Sequence, residues 1–228
     1  MAEQYLHFTG TRKCLSDKTV TFCRYPNLMR MVRTVVMAFV FTFAALLPAW
    51  GQKNEVGLLL GGSIVPTSAS NLSINSGLAY QATFARRFTN NGTGFGFEVP
   101  FVALPSQSVQ SNSIFVPRNY ASIFLTPGFR VTFASHAAIS PWASVGGGSA
   151  RFAESTTLVT GAPNTFTKGT NKGALQFGGG VDFRTPIKFL ALRAEIRDFF
   201  TGEPRLNFPR PGSGQHNVIT SGGFVLRF

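Results

Sequence analysis

Little in this chain can do covalent chemistry. It has two cysteines and three histidines among 228 residues, and nine acidic side chains against 21 lysines and arginines. Cys14 and Cys23 both precede the export signal described below, which excludes disulfide and thiol chemistry from the exported part. Only His136 and His216 lie beyond that signal. Two separated imidazoles without thiols give no zinc-like ligand spacing, so neither a metal nor a cofactor is expected. Apart from the signal there is no helical period, and nothing approaches the roughly 20 apolar residues that a spanning helix needs. Heptads, low-complexity blocks and runs of like charge are absent as well. The net charge of +12 is therefore no nucleic-acid footprint, because the arginines are scattered and the aromatics are not interleaved with lysines. No nucleic-acid partner is expected. Anionic lipid headgroups or surface polysaccharide suit this basic balance better.

What is present begins with that signal. Arg30, Met31 and Arg33 precede an uncharged run from Thr34 to Leu47, about the length of a signal-peptide apolar core. Pro48 breaks the run, and Ala49-Trp50-Gly51 puts small residues at the two positions a signal peptidase reads. Cleavage is expected between Gly51 and Gln52, making residues 29–51 a secretory signal peptide and 52–228 the mature domain. A retained membrane anchor is the alternative, disfavoured by the small-x-small site. Residues 1–28 carry scattered charges and no pattern, and are expected to be a mis-called extension upstream of a true start at Met29 or Met31. From Gln52 onward 15 lysines and arginines stand against 7 acids, a net charge of +8.

Beyond Gln52 apolar residues recur at every second position and glycines replace helix formers, which predicts strands. Eight are expected, near 54–65, 76–88, 94–104, 119–133, 141–153, 173–185, 188–200 and 216–228. Their connections alternate. Those from Pro66, Pro105, Glu154 and Thr201 are long and polar, whereas those around Asn90-Asn91-Gly92, Ala134 to Ser140 and Pro186-Ile187 are short. Transmembrane barrels have short periplasmic turns and longer outer loops, and an even strand number puts both chain ends on one side. The expected fold is all-β, an eight-stranded antiparallel up-and-down transmembrane β-barrel.

The strand faces agree. In the seventh strand Leu190, Leu192, Ala194 and Ile196 alternate with Arg193, Glu195 and Arg197, and in the sixth Leu175, Phe177, Val181 and Phe183 alternate with Gln176, Asp182 and Arg184. The fourth sets Ile123, Leu125, Phe129, Val131 and Phe133 against Thr126, Arg130 and Thr132. The last strand puts Val218, Phe224, Leu226 and Phe228 on one face and Asn217, Ile219, Val225 and Arg227 on the other. In the fifth, Gly146-Gly147-Gly148 leaves too few side chains to assign faces. A charge facing lipid costs about 2–4 kcal/mol at the midplane, so charged residues should point inward.

Three segments carry a family resemblance: Gly178-Gly179-Gly180-Val181-Asp182-Phe183, the tight turn into Ala191 to Asp198, and Phe224-Val225-Leu226-Arg227-Phe228. On them, residues 52–228 resemble the small outer-membrane barrels typified by OmpA and OmpX. The resemblance implies residence in the cell outer membrane among outer-membrane lipid and lipopolysaccharide. It also implies delivery by periplasmic chaperones and the barrel-assembly machinery, with Phe224, Leu226 and Phe228 as the carboxy-terminal assembly signal. A monomer is expected.

An eight-stranded barrel is just wide enough for side chains to fill. Glu98, Arg130, Asp182, Arg184, Arg193, Glu195 and Arg197 are expected to form a polar network that plugs the lumen. With the turn centred on residues 186–187, Gly180 would face Arg193 and Gly178 would face Glu195. The function expected is therefore non-enzymatic, a structural or surface-interaction barrel without an open pore. One alternative is a lipid A or phospholipid hydrolase using His216, with Ser213 as a neighbouring hydroxyl. Another is a small ion-conducting channel. No acid-histidine-serine spacing stands out, and no catalytic residue is assigned. Tyr120, Trp142, Phe88, Phe133, Phe199 and Phe200 fall near strand ends and are expected at the membrane interfaces.

Overall fold

Period-two segments rich in Phe, Val, Thr and Gly can satisfy their backbone groups in a membrane only by pairing all the way round. In a computed structural model, which describes residues 53–65, 72–89, 92–165, 169–202 and 214–228, every regular element is a strand. The residues expected to form the extension and signal peptide, including Gly51 and Gln52, lie outside the described residues. The strands are β1 (Asn54–Ile64), β2 (Leu72–Ile74), β3 (Leu78–Arg87), β4 (Gly94–Ser111), β5 (Asn119–Leu125), β6 (Gly128–Thr132), β7 (Ile139–Glu154), β8 (Gly169–Arg184), β9 (Leu190–Thr201) and β10 (Gln215–Arg227). β5 and β6 are one stave interrupted at Thr126-Pro127, since both pair with β4 and β7. β2 is a short addition to the outer end of β4. The others complete eight antiparallel staves, and β10 pairs with β1 to close the ring.

The register fixes the barrel's geometry. A row of paired residues runs from Ile139 through Phe183, Leu192, Phe224, Leu58, Ala82, Phe101 and Leu125 to Ser149. It leaves β7 at Ile139 and returns ten residues further along the same strand, the stagger of a tilted closed barrel. The short connections 88–93, 133–138 and 185–189 share the end that holds both termini of the barrel, which is the periplasmic end.

Two boundaries differ from expectation by more than two residues, each for a physical reason. β4 runs to Ser111 instead of ending at Leu104, because the chain absorbs Pro105 in an irregularity between Leu104 and Gln107 and then resumes pairing. The irregularity reverses the phase: Val102 and Leu104 point inward before it, Gln107 and Val109 after it. Reading by twos stops at such a point. β8 begins at Gly169, four residues early, because Gly169 to Lys172 continue the ladder with β7.

Pro127 cannot donate to a ladder, and its stave bends there. Glycines on both sides of the bend let the backbones close in. A Cβ on Gly128 would lie 2.2 Å from the Val145 carbonyl oxygen, and one on Gly148 2.0 Å from that of Leu125. This explains the glycine run in β7, whose inward residues are Ser140, Trp142, Ala150 and Phe152.

The outer wall is apolar around the whole ring. Leu58, Leu60, Phe224, Phe177 and Phe129 are each more than half exposed, an arrangement that water would penalise and hydrocarbon satisfies.

Candidate functional site

Inward positions near the periplasmic end bring nine charged side chains together. Four carboxylates, Glu55, Glu98, Asp182 and Glu195, meet five guanidiniums, Arg87, Arg130, Arg193, Arg197 and Arg227, all of them buried. Glu55 is the hub. Its oxygens accept from Arg193 at 3.1 Å and from Arg130, and lie 2.7 Å from the Arg87 and 3.2 Å from the Arg227 guanidinium. Asp182 accepts from Arg193 at 2.6 and 2.8 Å and from Arg227 at 2.8 Å. One layer up, Arg197 donates to Glu98 at 2.7 Å and to Glu195 at 2.6 Å, while Gln81 donates to Glu195. The Trp142 ring stands among them, with the guanidinium carbons of Arg130, Arg193 and Arg197 5.0–5.5 Å from its centroid. A desolvated cation over an indole face is attractive in its own right.

Of the seven residues expected in this network, the structure brings together Glu98, Arg130, Asp182, Arg193, Glu195 and Arg197. Arg184 is not among them. It is exposed at the periplasmic rim, where it donates to the carbonyls of Ser135 and, at 3.0 Å, His136. It has the inward phase of Asp182, but the strand ends there and the side chain leaves the lumen. Sequence reasoning missed Glu55, Arg87 and Arg227. The signal was available in the alternation of the last strand, which puts Arg227 on the inward face, and in β1, where Glu55 shares a face with Leu59.

The expected β8–β9 register is off by two. Gly178 faces Arg197, Gly180 faces Glu195 and Asp182 faces Arg193, because the connection takes five residues, 185–189, and not a two-residue turn. The consequence for packing survives the shift. A Cβ on Gly180 would sit 2.7 Å from Trp142 Cζ2 and one on Gly178 3.1 Å from Arg197 Cγ, so bare glycines make room for the largest side chains.

Above the charged cluster the lumen holds an apolar layer, which alternation of greasy and polar faces did not suggest. Phe124 stacks on Phe199 with centroids 4.7 Å apart, Phe152 meets Phe124 edge-on at 5.9 Å, and Tyr120 lies 6.2 Å from Phe152. Val102, Leu104, Val109, Val116 and Ile219 fill the space around them. Tyr120, Trp142 and Phe199 are thus lumen residues and not interfacial anchors, because the phase of each strand turns them inward. Phe88 and Phe133 do face outward, about half exposed. Above the aromatic layer Gln107 donates to Ser63 at 3.0 Å and accepts from Ser122 at 3.2 Å. The loop 112–118 then folds inward to bury Val116, held by Arg118 N to Thr157 O and Val159 N to Val116 O, both 2.9 Å.

A closed barrel with an oily outside, an ion-paired and aromatic filling and long connections at one end only is built for a bilayer reached from one side. Its fold is that of a small outer-membrane barrel. The sequence matches no known protein family and no curated protein. Among solved structures the chain is similar to Neisserial surface protein A, at 13% identity over 77% of this chain and 97% of that one, with a TM-score of 0.49. It is likewise similar to the outer membrane protein OprG from Pseudomonas aeruginosa, at 12% identity, 77% and 96% coverage and TM-score 0.49. A third is Ail, the attachment invasion locus protein of Yersinia pestis, at 13% identity, 77% and 99% coverage and TM-score 0.45. The fold assignment itself stands on the ring of strand pairings.

On the outside of the wall, near its outer end, His216 Nδ1 lies 2.7 Å from Asp198 Oδ2 and its ring 4.8 Å from that of Phe200. Ser213, the hydroxyl considered beside His216, falls outside the described residues. His136 lies in the periplasmic connection 133–138, at the opposite end of the barrel. Among the described residues no group of three or more His, Cys, Asp or Glu side chains is placed to hold a metal. Phe224 and Leu226 face outward, and Phe228 completes the seam with β1 by exchanging backbone hydrogen bonds with Asn54 at 2.9 and 3.0 Å.

Proposed function

We propose that this protein is a non-enzymatic, monomeric wall element of the outer membrane, whose work is structural and is done through its outer surface. The observation that carries the reading is the two-layer filling of the lumen, ion-paired below and aromatic above, which leaves the loops as the accessible face. Loop 112–118 presents Ile114 and Phe115, 57% and 61% exposed, on a turn pinned to residues 155–165. A rigid apolar tip held outside the membrane suits contact with an apolar surface. Lipopolysaccharide is the expected lipid neighbour, and the barrel-assembly machinery is expected to read Phe224, Leu226 and Phe228. Two measurements test the proposal. Planar-bilayer recording should give no discrete conductance steps, and steps in the folded wild type would overturn the plugged reading. Adhesion of intact expressing cells to octyl-agarose should fall in an Ile114→Ser/Phe115→Ser variant, and unchanged adhesion would overturn the role given to the loop.

One observation favours a second reading, a lipid hydrolase. The Asp198–His216 pair has the acid-to-imidazole arrangement of a general base and faces the outer end of the wall, where lipid esters lie. The residue two places on, Val218, offers no nucleophile. Mass spectrometry of lipid A and phospholipid from cells expressing wild type or His216→Ala decides. A product present only with the wild type supports the hydrolase and overturns the first reading.

A further inference from the structure

The periplasmic end carries charge of one sign on its outside. The segments that make this end, 53–54, 86–95, 132–140, 184–190 and 226–228, hold Lys53, Arg86, Arg87, Arg184, Lys188 and Arg227 and no aspartate or glutamate. The acids nearest to it, Glu55 and Asp182, point into the lumen and hold Arg87 and Arg227 there. Lys53, Arg86, Arg184 and Lys188 stay exposed. They follow one another around the ring. Asn54, beside Lys53, pairs with Arg86; Arg227, one stave on, pairs with the Phe189 carbonyl; and Arg184 closes β8 against the 133–138 connection.

Their depth is set by neighbouring rings. Phe88, Phe133 and Phe189 are exposed on the outer wall at this same end, where bulky aromatics mark the limit of hydrocarbon. Arg86 lies on the outward face between Phe84 and Phe88, so its guanidinium emerges sideways toward lipid at headgroup level and not downward into the periplasm.

We propose that this end is a cationic collar that binds the phosphodiester headgroups of anionic phospholipids in the inner leaflet. Charge complementarity selects the occupant. Four exposed cations beside a hydrocarbon edge meet a layer of phosphates, whereas an acidic periplasmic protein would have to approach from below and could not reach Arg86. A collar of this kind draws anionic lipid around the barrel and fixes its vertical position. It rests on the transmembrane placement of the barrel and is independent of how the lumen or the loops work.

Protein reconstituted in phosphatidylcholine vesicles, with spin-labelled phosphatidylglycerol or phosphatidylcholine as probe, gives the relative affinity of the two lipids for the barrel surface. Wild type should prefer phosphatidylglycerol, and the preference should fall roughly fivefold for each charge removed, the equivalent of ~1 kcal/mol per basic residue at an anionic surface. Lys53→Gln/Arg86→Gln/Lys188→Gln should lower it about a hundredfold, to the contribution of Arg184 alone, while Arg118→Gln/Arg151→Gln, at the outer end, should keep it. A triple variant that retains the wild-type preference, or an outer variant that loses it, overturns the proposal. If heat-modified gel mobility shows that the triple variant does not fold, the outer variant decides alone. Its preference must then vanish between 20 mM and 500 mM salt, and a salt-insensitive or absent preference overturns the collar.

Discussion

Replacing Glu55 with glutamine should cost more stability than any other isosteric change in the lumen. Four arginines share this carboxylate, and the alternatives open to them differ. Arg193 and Arg227 keep Asp182 at 2.6 and 2.8 Å, and Arg130 keeps only a 3.9 Å approach to Glu98. Arg87 has no other ion-pair partner among the described residues. The buried charge rises from five guanidiniums over four carboxylates to five over three. Removing one member of a buried pair costs about 3–5 kcal/mol, and the amide can still accept one hydrogen bond, which puts Glu55→Gln at the lower end, ~3 kcal/mol. Glu195→Gln should cost less, about 1.5–3 kcal/mol for a lost charged hydrogen bond, because Arg197 keeps Glu98 at 2.7 Å. Urea titration of vesicle-reconstituted protein, read by heat-modified mobility on gels, measures both. The reasoning fails if Glu55→Gln lies within about 0.5 kcal/mol of wild type or if Glu195→Gln costs more. A second variant sharpens the test: Glu55→Gln/Arg87→Gln removes charge and countercharge together, and should be more stable than the sum of the single changes by roughly 0.5–3 kcal/mol. Strict additivity would mean that the pair does not interact.

Three further outcomes are expected. Gly180→Val adds atoms where a Cβ already meets Trp142 Cζ2 at 2.7 Å and the Ala194 carbonyl oxygen at 2.6 Å; it should lower stability by ~1–3 kcal/mol in the same titration. Phe124→Ala removes the ring shared by the Phe199 and Phe152 contacts and should cost about 3–5 kcal/mol. It should nonetheless give no conductance in planar bilayers, because the ion-paired layer below stays shut. Leu60→Arg puts a charge on the lipid-facing wall and should cost ~2–4 kcal/mol, whereas Ala153→Arg, outward but near the outer end, should cost about 0–1 kcal/mol.

Much of the architecture is legible in the residues because a barrel wall separates two solvents and imposes a strict period of two. Leu190 to Arg197 and Val218 to Phe228 read correctly for that reason. Legibility fails where the period breaks. At Pro105 the phase reverses, and the outer third of β4 looked like loop. At Gly146 to Gly148 there is no side chain to carry the pattern, and only the close approach of Gly146 to the Thr126 and Pro127 carbonyls and of Gly148 to that of Leu125 explains those two glycines. Pair register is harder still: a two-residue slip between β8 and β9 leaves every side chain on its proper face, so nothing in the alternation of Leu175 to Arg184 could have exposed it. Glu55, Arg87 and Arg227 lay on the inward face by simple phase. Only β9 concentrates charge enough to stand out in the sequence, whereas the network draws one or two residues from each of several other strands.

The two layers of the lumen differ in what they can contribute. Ion pairs that must first be desolvated are weak evidence of net stability, so the nine charges near the periplasmic end cannot be assumed to hold the barrel together. What they enforce is register, since sliding β9 by two residues past β8 would strand Arg193 and Arg197 away from Asp182 and Glu98. Apolar contacts among Phe124, Phe152, Phe199, Tyr120 and Ile219 carry no such penalty, and each buried ring is worth about 1.5–3 kcal/mol relative to exposure. Specification at the periplasmic end and cohesion at the outer end follow from that asymmetry. It predicts opposite failures: loss of an aromatic should loosen a barrel that keeps its register, and loss of Glu55 should leave an intact aromatic layer above strands free to slip.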